Sequence, residues 1–208
     1  MTLGENTMYT IEWVSDFQGF SKDEKMDLHK FVLFYDQYIA EKLYIYTTTS
    51  PMLPSFIVEA RQSQLPHLMG LQYWNNLPVK QASKQYESML DGDWDMNYLE
   101  AADRGSYLDH RSRIEFLPHL YNLLYRYDCQ IKLISHTVPS PFKNRKIDMI
   151  FQKDGSKLTY ALELREKVKK GDKTGIFVLT SVSIHNKNKP LRGKFLKLNI
   201  TNVEIKDA

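Results

Sequence analysis

Residues 130–137 read QIKLISHT and are the first of five short runs rich in Ile, Leu, Val, Thr, Phe and Tyr. The other four runs cover residues 147–152, 158–164, 175–184 and 194–205. Runs of this length and composition are typical of β-strands. The segments between them carry turn residues such as Pro139, Gly155 and Gly171, and they are too short for crossover helices. The sequence therefore predicts an antiparallel sheet.

Helical spacing of apolar residues dominates the chain before this sheet. The sequence predicts helices over about residues 22–42, 79–90, 95–102 and 111–125, and a short strand over residues 55–61. The first helix follows a capping box of Ser21 and Glu24, and Pro118 predicts a kink or a late start in the last one. We expect one α+β domain over residues 1–208, with N-terminal helices (about 20–128) packed on a C-terminal antiparallel sheet (about 129–206).

The composition is that of a folded domain without membrane-spanning segments. A hydrophobic content of 42% in 208 residues suffices for one buried core. No apolar run approaches the roughly 18 residues that a membrane span needs, and residues 1–10 lack the pattern of a signal peptide. The single cysteine, Cys129, excludes an internal disulfide. These features predict a cytoplasmic protein with no membrane partner.

The two parts of the chain carry opposite charge. Residues 141–208 contain 16 Lys and Arg against 7 Asp and Glu, a net charge of +9, whereas residues 1–140 contain 12 against 18, a net charge of −6. A basic sheet is typical of proteins that bind a polyanion such as RNA. Lysines on strand edges also prevent aggregation without any ligand, so both interpretations remain open.

Residues 65–73 read LPHLMGLQY and place His67 between apolar residues, just after the predicted strand of residues 55–61. An imidazole held in this way is fixed in direction, and histidine titrates near neutral pH, as a general acid or base requires. The alternative is a hydrogen-bonded histidine in the core or at a helix cap.

His67, Arg111, Arg113 and Thr180 together are the residue types that a metal-free ribonuclease uses. A base draws the proton from the ribose 2′-hydroxyl, an acid protonates the leaving 5′-oxygen, and arginine and hydroxyl donors stabilise the negative phosphoryl oxygens. Ser181, beside Thr180, is an alternative hydroxyl donor. The arginines are equally compatible with a solvated first helical turn, and Thr180 with a strand-forming role.

A metal-dependent nuclease is a third hypothesis. Asp148 and Glu163 fall on neighbouring predicted strands, and Arg165 and Lys167 follow Glu163. Acidic residues followed by a basic one resemble the arrangement of two-metal nucleases.

The stretch from Ile57 to Leu71, which contains LPHLMGL, resembles the Phe-x-His-Leu-x-Gly-Leu signature of a phage-associated nuclease family related to barnase, EndoU, colicin and RelE ribonucleases. Residues 113–115, Asp148 and residues 176–183 follow in similar order, so the resemblance covers about residues 30–205. Two residues depart from the family pattern, Pro66 in place of an aromatic and Leu179 in place of a proline. The second departure leaves Ser181 and Ser183 as alternatives to Thr180. The resemblance implies a ribonuclease-toxin-like α+β fold, carriage by mobile elements, and RNA as the target.

The leading prediction is a metal-independent RNA endonuclease or toxin-like effector with His67, Arg113 and Thr180 as catalytic residues and no metal or other cofactor. The predicted RNA-binding residues are Arg111, Lys143, Arg145, Lys146, Arg165 and Lys194. The predicted partners are RNA or a ribonucleoprotein, together with an immunity or host-defence protein. The alternative is a non-catalytic inhibitor from a phage or mobile element that occupies RNA or a ribonucleoprotein.

Overall fold

The computed structural model describes residues 8–21, 24–189 and 191–208. The helices are α1 (Ile11–Asp16), α2 (Leu28–Tyr38), α3 (Leu65–Met69), α4 (Ala82–Leu90), α5 (Met96–Ala102), α6 (Arg104–Phe116), α7 (Leu120–Tyr125) and α8 (Pro141–Asn144). The strands are β1 (Lys42–Thr48), β2 (Ser55–Ala60), β3 (Gln130–Ser135), β4 (Met149–Asp154), β5 (Leu158–Lys169), β6 (Asp172–Asn186), β7 (Lys194–Leu198) and β8 (Ile200–Asp207).

The strands form one sheet in the order β7-β3-β4-β5-β6-β2-β1-β8. Neighbours run antiparallel except β2 and β6, which pair in parallel over three residues each, Ile57–Glu59 with Ile176–Val178. β7 and β8 lie at opposite edges of the sheet although only Asn199 separates them in the chain. The Thr49 amide donates a hydrogen bond of 3.1 Å to the Asn199 carbonyl. The sheet therefore curls until its two edges meet at Asn199.

The main hydrophobic core lies between the sheet and the helices. In β1, Tyr44 and Tyr46 are fully buried. Their hydroxyls donate to the carbonyls of Ile39 at 3.3 Å and of Leu124 at 2.7 Å. Each ring thus adds apolar area to the core while its polar end stays hydrogen-bonded.

A smaller cluster covers the opposite face of the sheet. It consists of Ile134, Phe142, Ile147, Ile150 and Ala161. Phe142 comes from α8, which begins at the cap formed by the Ser140 hydroxyl and the Lys143 amide. Because side chains alternate along a strand, Glu163 lies on the same face as Ala161, two residues before it.

The α+β fold class predicted from the sequence is confirmed, and the strand predicted over residues 55–61 is β2. The predicted helix over residues 22–42 is wrong in its bounds. Lys22 and Asp23 lie outside the described residues, and Ser21 does bond Glu24, but α2 begins only at Leu28 after the Asp27 cap. It ends at Tyr38, because Glu41 has a positive φ of 52° and the chain then enters β1, a strand that the sequence did not predict.

Two further predictions need correction. The helix predicted over residues 111–125 begins earlier, at Arg104, and a 3₁₀ turn over Leu117–His119 separates α6 from α7. Pro118 lies in this turn, since it has no amide hydrogen to continue the helical ladder. The single strand predicted over residues 194–205 is two strands, β7 and β8.

Candidate active site

His67 projects from a helix that is otherwise buried. Helix α3 is five residues long, and Leu65, Pro66, Leu68 and Met69 are buried in it while His67 is exposed. The apolar residues anchor the helix in the main core. His67 is therefore held at a fixed point on the surface by neighbours that cannot move without disturbing packing.

Gly70 ends this helix in a conformation that other residues rarely adopt. Its φ is +85°, and its amide donates to the His67 carbonyl at 3.1 Å. A Cβ at this position would lie 2.4 Å from the Cδ2 atom of His110, on helix α6. Both the left-handed turn and the close approach of the His110 ring thus require glycine.

The sheet opens next to His67. The parallel pairing of β2 with β6 ends at Val178, after which β6 continues to Asn186 without β2 beside it. A cleft of about 420 Å³ occupies the opening. Its lining residues are His67, Gln72, Tyr73, Arg145, Ile147, Glu163, Arg165, Leu179, Thr180 and Ser181.

A β-bulge directs two hydroxyl residues toward this cleft. Glu163 of β5 pairs with Ser181, but the next residue, Leu164, pairs with Leu179, so Thr180 is an extra residue in β6. Leu179 and Val182 both belong to the main core although they are three positions apart. Thr180 and Ser181 lie between these two core residues, and both of their side chains point away from the main core because Thr180 is the extra residue of the bulge.

A buried carboxylate lies at the cleft. The Glu163 side chain is 1% exposed, and its Oε2 atom accepts a bond of 2.7 Å from Nη1 of Arg145. Its other oxygen, Oε1, is buried and has no hydrogen-bond partner within the described residues. The Arg145 guanidinium thus holds one oxygen of this carboxylate, while the second oxygen keeps its full acceptor capacity.

Arg165 is the second arginine of the cleft and is held by the backbone. Its Nε and Nη2 atoms donate to the carbonyls of Lys146 at 3.2 Å and Arg145 at 3.0 Å. Lys146 has a positive φ of 56°, so the chain turns sharply here. The Arg165 guanidinium is thus oriented before any ligand arrives.

Arg113 lies behind the cleft rather than in its lining. Its guanidinium carbon is 5.9 Å from the centre of the Tyr73 ring. Burial lowers the pKa of Arg113, while the nearby charges of Tyr73 and Glu163 raise it. Tyr73 itself is 59% exposed, and its ring stacks on that of His110 at 5.7 Å. His67 and Thr180 therefore line the same cleft, and Arg113 contacts Tyr73 of the cleft lining without lining the cleft itself.

The other predicted RNA-binding residues occupy two places. Arg111 forms an ion pair of 2.6 Å with Glu115 on α6 and does not line the cleft. Lys143, Arg145 and Lys146 are exposed in and just after α8. Lys194 is exposed at the start of β7, and the preceding Gly193 packs against Ser140, the residue that caps α8.

Asp148 and Glu163 have different hydrogen-bond partners. Asp148 accepts bonds from Nε2 of His136 and from the Glu166 amide, each at 2.9 Å. Within the described part of the chain, no group of three or more His, Cys, Asp or Glu side chains is placed to hold a metal ion.

Sequence reasoning missed the roles of Tyr73 and Glu163 in this cleft. The sequence carries no signal for the bulge, because residues 176–179 are all apolar and do not alternate. Glu163 carried a weak signal as a carboxylate within an apolar strand. The sequence gave no signal for Tyr73, since its ring is oriented by stacking on His110 of α6.

The fold and the cleft define a nuclease-like α+β domain with a histidine, a carboxylate and two arginines in one opening. A family model described as phage-Barnase-EndoU-ColicinE5/D-RelE like nuclease 4 matches residues 27–201. The chain belongs to this family, which confirms the resemblance seen in the sequence. Comparisons with curated proteins and with solved structures gave no match. In the described residues, none of the helices has the length and apolar character that crossing a membrane requires.

Proposed function

We propose that the protein is a metal-independent RNA endonuclease that cleaves by attack of the 2′-hydroxyl on the adjacent phosphorus. One observation carries this proposal: His67 and Thr180 line the same cleft as Arg145, Arg165 and the buried Glu163. A proton donor, a proton acceptor and cationic phosphate ligands are the groups that this reaction needs.

The two proton carriers have different surroundings, and this difference assigns their roles. Arg145 bonds one oxygen of the Glu163 carboxylate, and the other oxygen, Oε1, has no partner in the described residues, so Oε1 is assigned to take the proton of the 2′-hydroxyl. The 2′-oxygen then bonds to phosphorus, and the bond from phosphorus to the 5′-oxygen breaks. His67, which is exposed at the rim, gives a proton to that leaving oxygen. The product ends in a 2′,3′-cyclic phosphate.

Arg145 and Arg165 are assigned to the phosphate, because both line the cleft and a guanidinium binds two phosphate oxygens at once. The Thr180 hydroxyl donates to the Val178 carbonyl at 3.2 Å and would turn from this carbonyl to the phosphate as a neutral donor. The role first predicted for Arg113 changes in this scheme: it supports the ring of Tyr73 from behind. The exposed face of that ring is suited to stacking with a base next to the scissile phosphate.

The test uses an RNA oligonucleotide with a single deoxyribose at the cleavage position, compared with the all-ribose oligonucleotide in excess chelator. We expect the all-ribose substrate to be cut to a 2′,3′-cyclic phosphate and the modified one to be spared at that position. Cleavage of the deoxyribose bond, or loss of all cleavage in chelator, would contradict the mechanism.

Occupancy of RNA without cleavage is the second candidate function. The exposed residues Lys143, Lys146 and Lys194 surround α8 next to the cleft, and they would bind phosphates whether or not a bond is broken. Tight binding of RNA or a ribonucleoprotein by a protein that leaves diverse RNAs intact would favour this candidate.

A further inference from the structure

A second cleft, of about 670 Å³, lies beside the candidate active site. Phe142, Ile184 and Leu191 give it an apolar lining, and His185, Lys189 and Arg192 contribute to its polar part. Its lining contains no Asp or Glu among the residues that the structure describes. An apolar floor with cations at the margin matches the two halves of a nucleotide, the base and the phosphate.

Arg145 connects the two clefts. Its Nη1 atom bonds Glu163 at 2.7 Å in the candidate active site, and its guanidinium carbon lies 5.4 Å from the centre of the Phe142 ring in the second cleft. The Phe142 and His185 rings are 6.2 Å apart. The charges of Glu163 and Arg145 both act on the pKa of His185, which burial lowers. A ligand on Arg145 is thus adjacent to both clefts.

Strand β6 sets the direction from one cleft to the other. Ser181, Ser183 and His185 are two residues apart in sequence, so their side chains share one face of the strand. Ser181 lines the candidate active site, His185 lines the second cleft, and Ser183 bonds His185 Nε2 at 2.9 Å. Four residues of strand span about 13 Å, so the two clefts are about this far apart along β6, with the buried Ser183 between them.

We propose that the second cleft binds the base and phosphate of a nucleotide that flanks the scissile phosphate in single-stranded RNA. This inference rests on the proposed function. The strand must be single, because a base can enter an apolar cleft and stack only when it is not paired in a helix. Lys189 and Arg192 hold the phosphate, and the His185 ring contacts the base.

The test compares a dinucleotide, which contains the scissile bond alone, with oligonucleotides extended on either side. Lys189→Ala combined with Arg192→Ala removes two exposed cations from the second cleft. Lys169→Ala combined with Lys170→Ala removes two exposed cations from the distant turn between β5 and β6 and serves as the matched control. We expect extension on one side to raise kcat/KM of the wild-type and control proteins by about tenfold, a gain typical of one bound nucleotide.

The cleft variant should cleave the dinucleotide as the wild type does and lose most of that gain. His185→Ala should lose the gain in kcat/KM when the added nucleotide carries a base. When the added nucleotide is abasic, His185→Ala and the wild type should give the same kcat/KM. An equal loss for short and long substrates, or the same loss in the control, would overturn the proposal.

Binding of 2′-O-methyl oligonucleotides separates this inference from the proposed function, since these ligands cannot be cut by 2′-hydroxyl attack. Affinity that rises on extension in the wild type, but not in the cleft variant, supports the second cleft even if no RNA is cleaved. Affinity that does not depend on length in the wild type overturns it.

Discussion

The tetrapeptide Leu-Pro-His-Leu occurs twice in the chain, at residues 65–68 and 117–120, and its two histidines have opposite surroundings. The leucines of both copies are fully buried. His67 is exposed at the cleft between β2 and β6. His119 lies against the rings of Phe17 and Phe116, at centroid distances of 5.0 and 5.4 Å, and its Nδ1 atom is buried without a partner in the described residues.

The residues that follow each copy explain the difference. Gly70 stands two residues after the first tetrapeptide, where its positive φ ends α3 and turns the chain away. Asn122 stands at the same place after the second, and there the chain continues as α7. The Asn122 amide donates to the Ser15 carbonyl at 2.8 Å, which ties α7 to the N-terminal segment next to Phe17. The same four residues therefore hold an exposed histidine in one copy and a part-buried histidine, packed against two aromatic rings, in the other.

The largest expected difference between the two histidines is in cleavage. His67→Ala should lower the rate of RNA cleavage by roughly 100-fold to 10,000-fold, the usual contribution of a positioned acid or base. His119→Ala should leave the rate within a fewfold of wild type, because this ring does not line the cleft. Single-turnover kinetics on one oligonucleotide measures both. Equal losses in the two variants would remove His67 from the mechanism.

The next effect concerns the glycine that distinguishes the two copies. Gly70→Ala should lower the free energy of unfolding by about 2–3 kcal/mol. Alanine is strained in the left-handed conformation, and its Cβ would also displace the His110 ring. Gly92→Ala is the control, because φ at Gly92 is also positive, at +81°, but the atom nearest to a Cβ there is 3.8 Å away. This variant should lose only the backbone strain, about 1 kcal/mol of the free energy of unfolding.

Urea denaturation gives both values. Adding His110→Ala to Gly70→Ala should recover the difference between the two glycine variants. If the two variants lose the same stability, the close approach of His110 has no energetic role.

The third effect is the response of stability to acid. Burial lowers the pKa of His119 to about 4, whereas a histidine in the unfolded chain titrates near 6.5. The unfolded state therefore takes up a proton first as the pH falls, and stability is lost between these two values. At pH 5 the loss is about 2 kcal/mol relative to pH 8.

His119→Gln should remove this part of the acid sensitivity in urea denaturation between pH 8 and pH 5. His67→Gln is the matched control and should not remove it. An unchanged pH response in His119→Gln would show that the ring is protonated as readily in the folded protein as in the unfolded chain.

The smallest effect is in the salt dependence of RNA binding. Lys143→Glu, beside the His67 cleft, should reduce the slope of log affinity against log salt by about 0.7, the value for one phosphate contact with a single strand. Lys157→Glu changes an exposed lysine that lines the cleft of His119, and it should leave the slope unchanged. Equal changes in slope for Lys143→Glu and Lys157→Glu would mean that RNA does not bind preferentially beside the His67 cleft.

The sequence predicted those features that depend on local patterns. The composition and length of the runs in β2 and after Gln130 indicated the sheet, and Pro118 indicated a kink, which lies between α6 and α7. The segment of β1, KLYIYTT, has a similar composition, and Tyr44 and Tyr46 are buried in it. It was missed because the reversal at Glu41 uses a positive φ in a residue other than glycine, which the sequence does not indicate.

Features that depend on distant pairing were beyond local patterns. The parallel contact of β2 with β6 joins residues more than 100 positions apart, and the cleft exists because this contact stops after three pairs. His67 and Thr180 could be selected from the sequence by residue type. The position of Glu163 depends on its bond to Arg145, and that of Tyr73 on its stacking with His110, and local sequence indicates neither contact.

The meeting of both sheet edges at Asn199 has a consequence for synthesis. Lys42 of β1 bonds Asp207 of β8, 165 residues later, so β1 remains an open edge until the end of β8 has been made. Domains fold progressively during translation, and pairings of such long range form late. The emerging chain therefore carries an unclosed sheet, with the β1 edge unpaired, at least until residue 207 has been added.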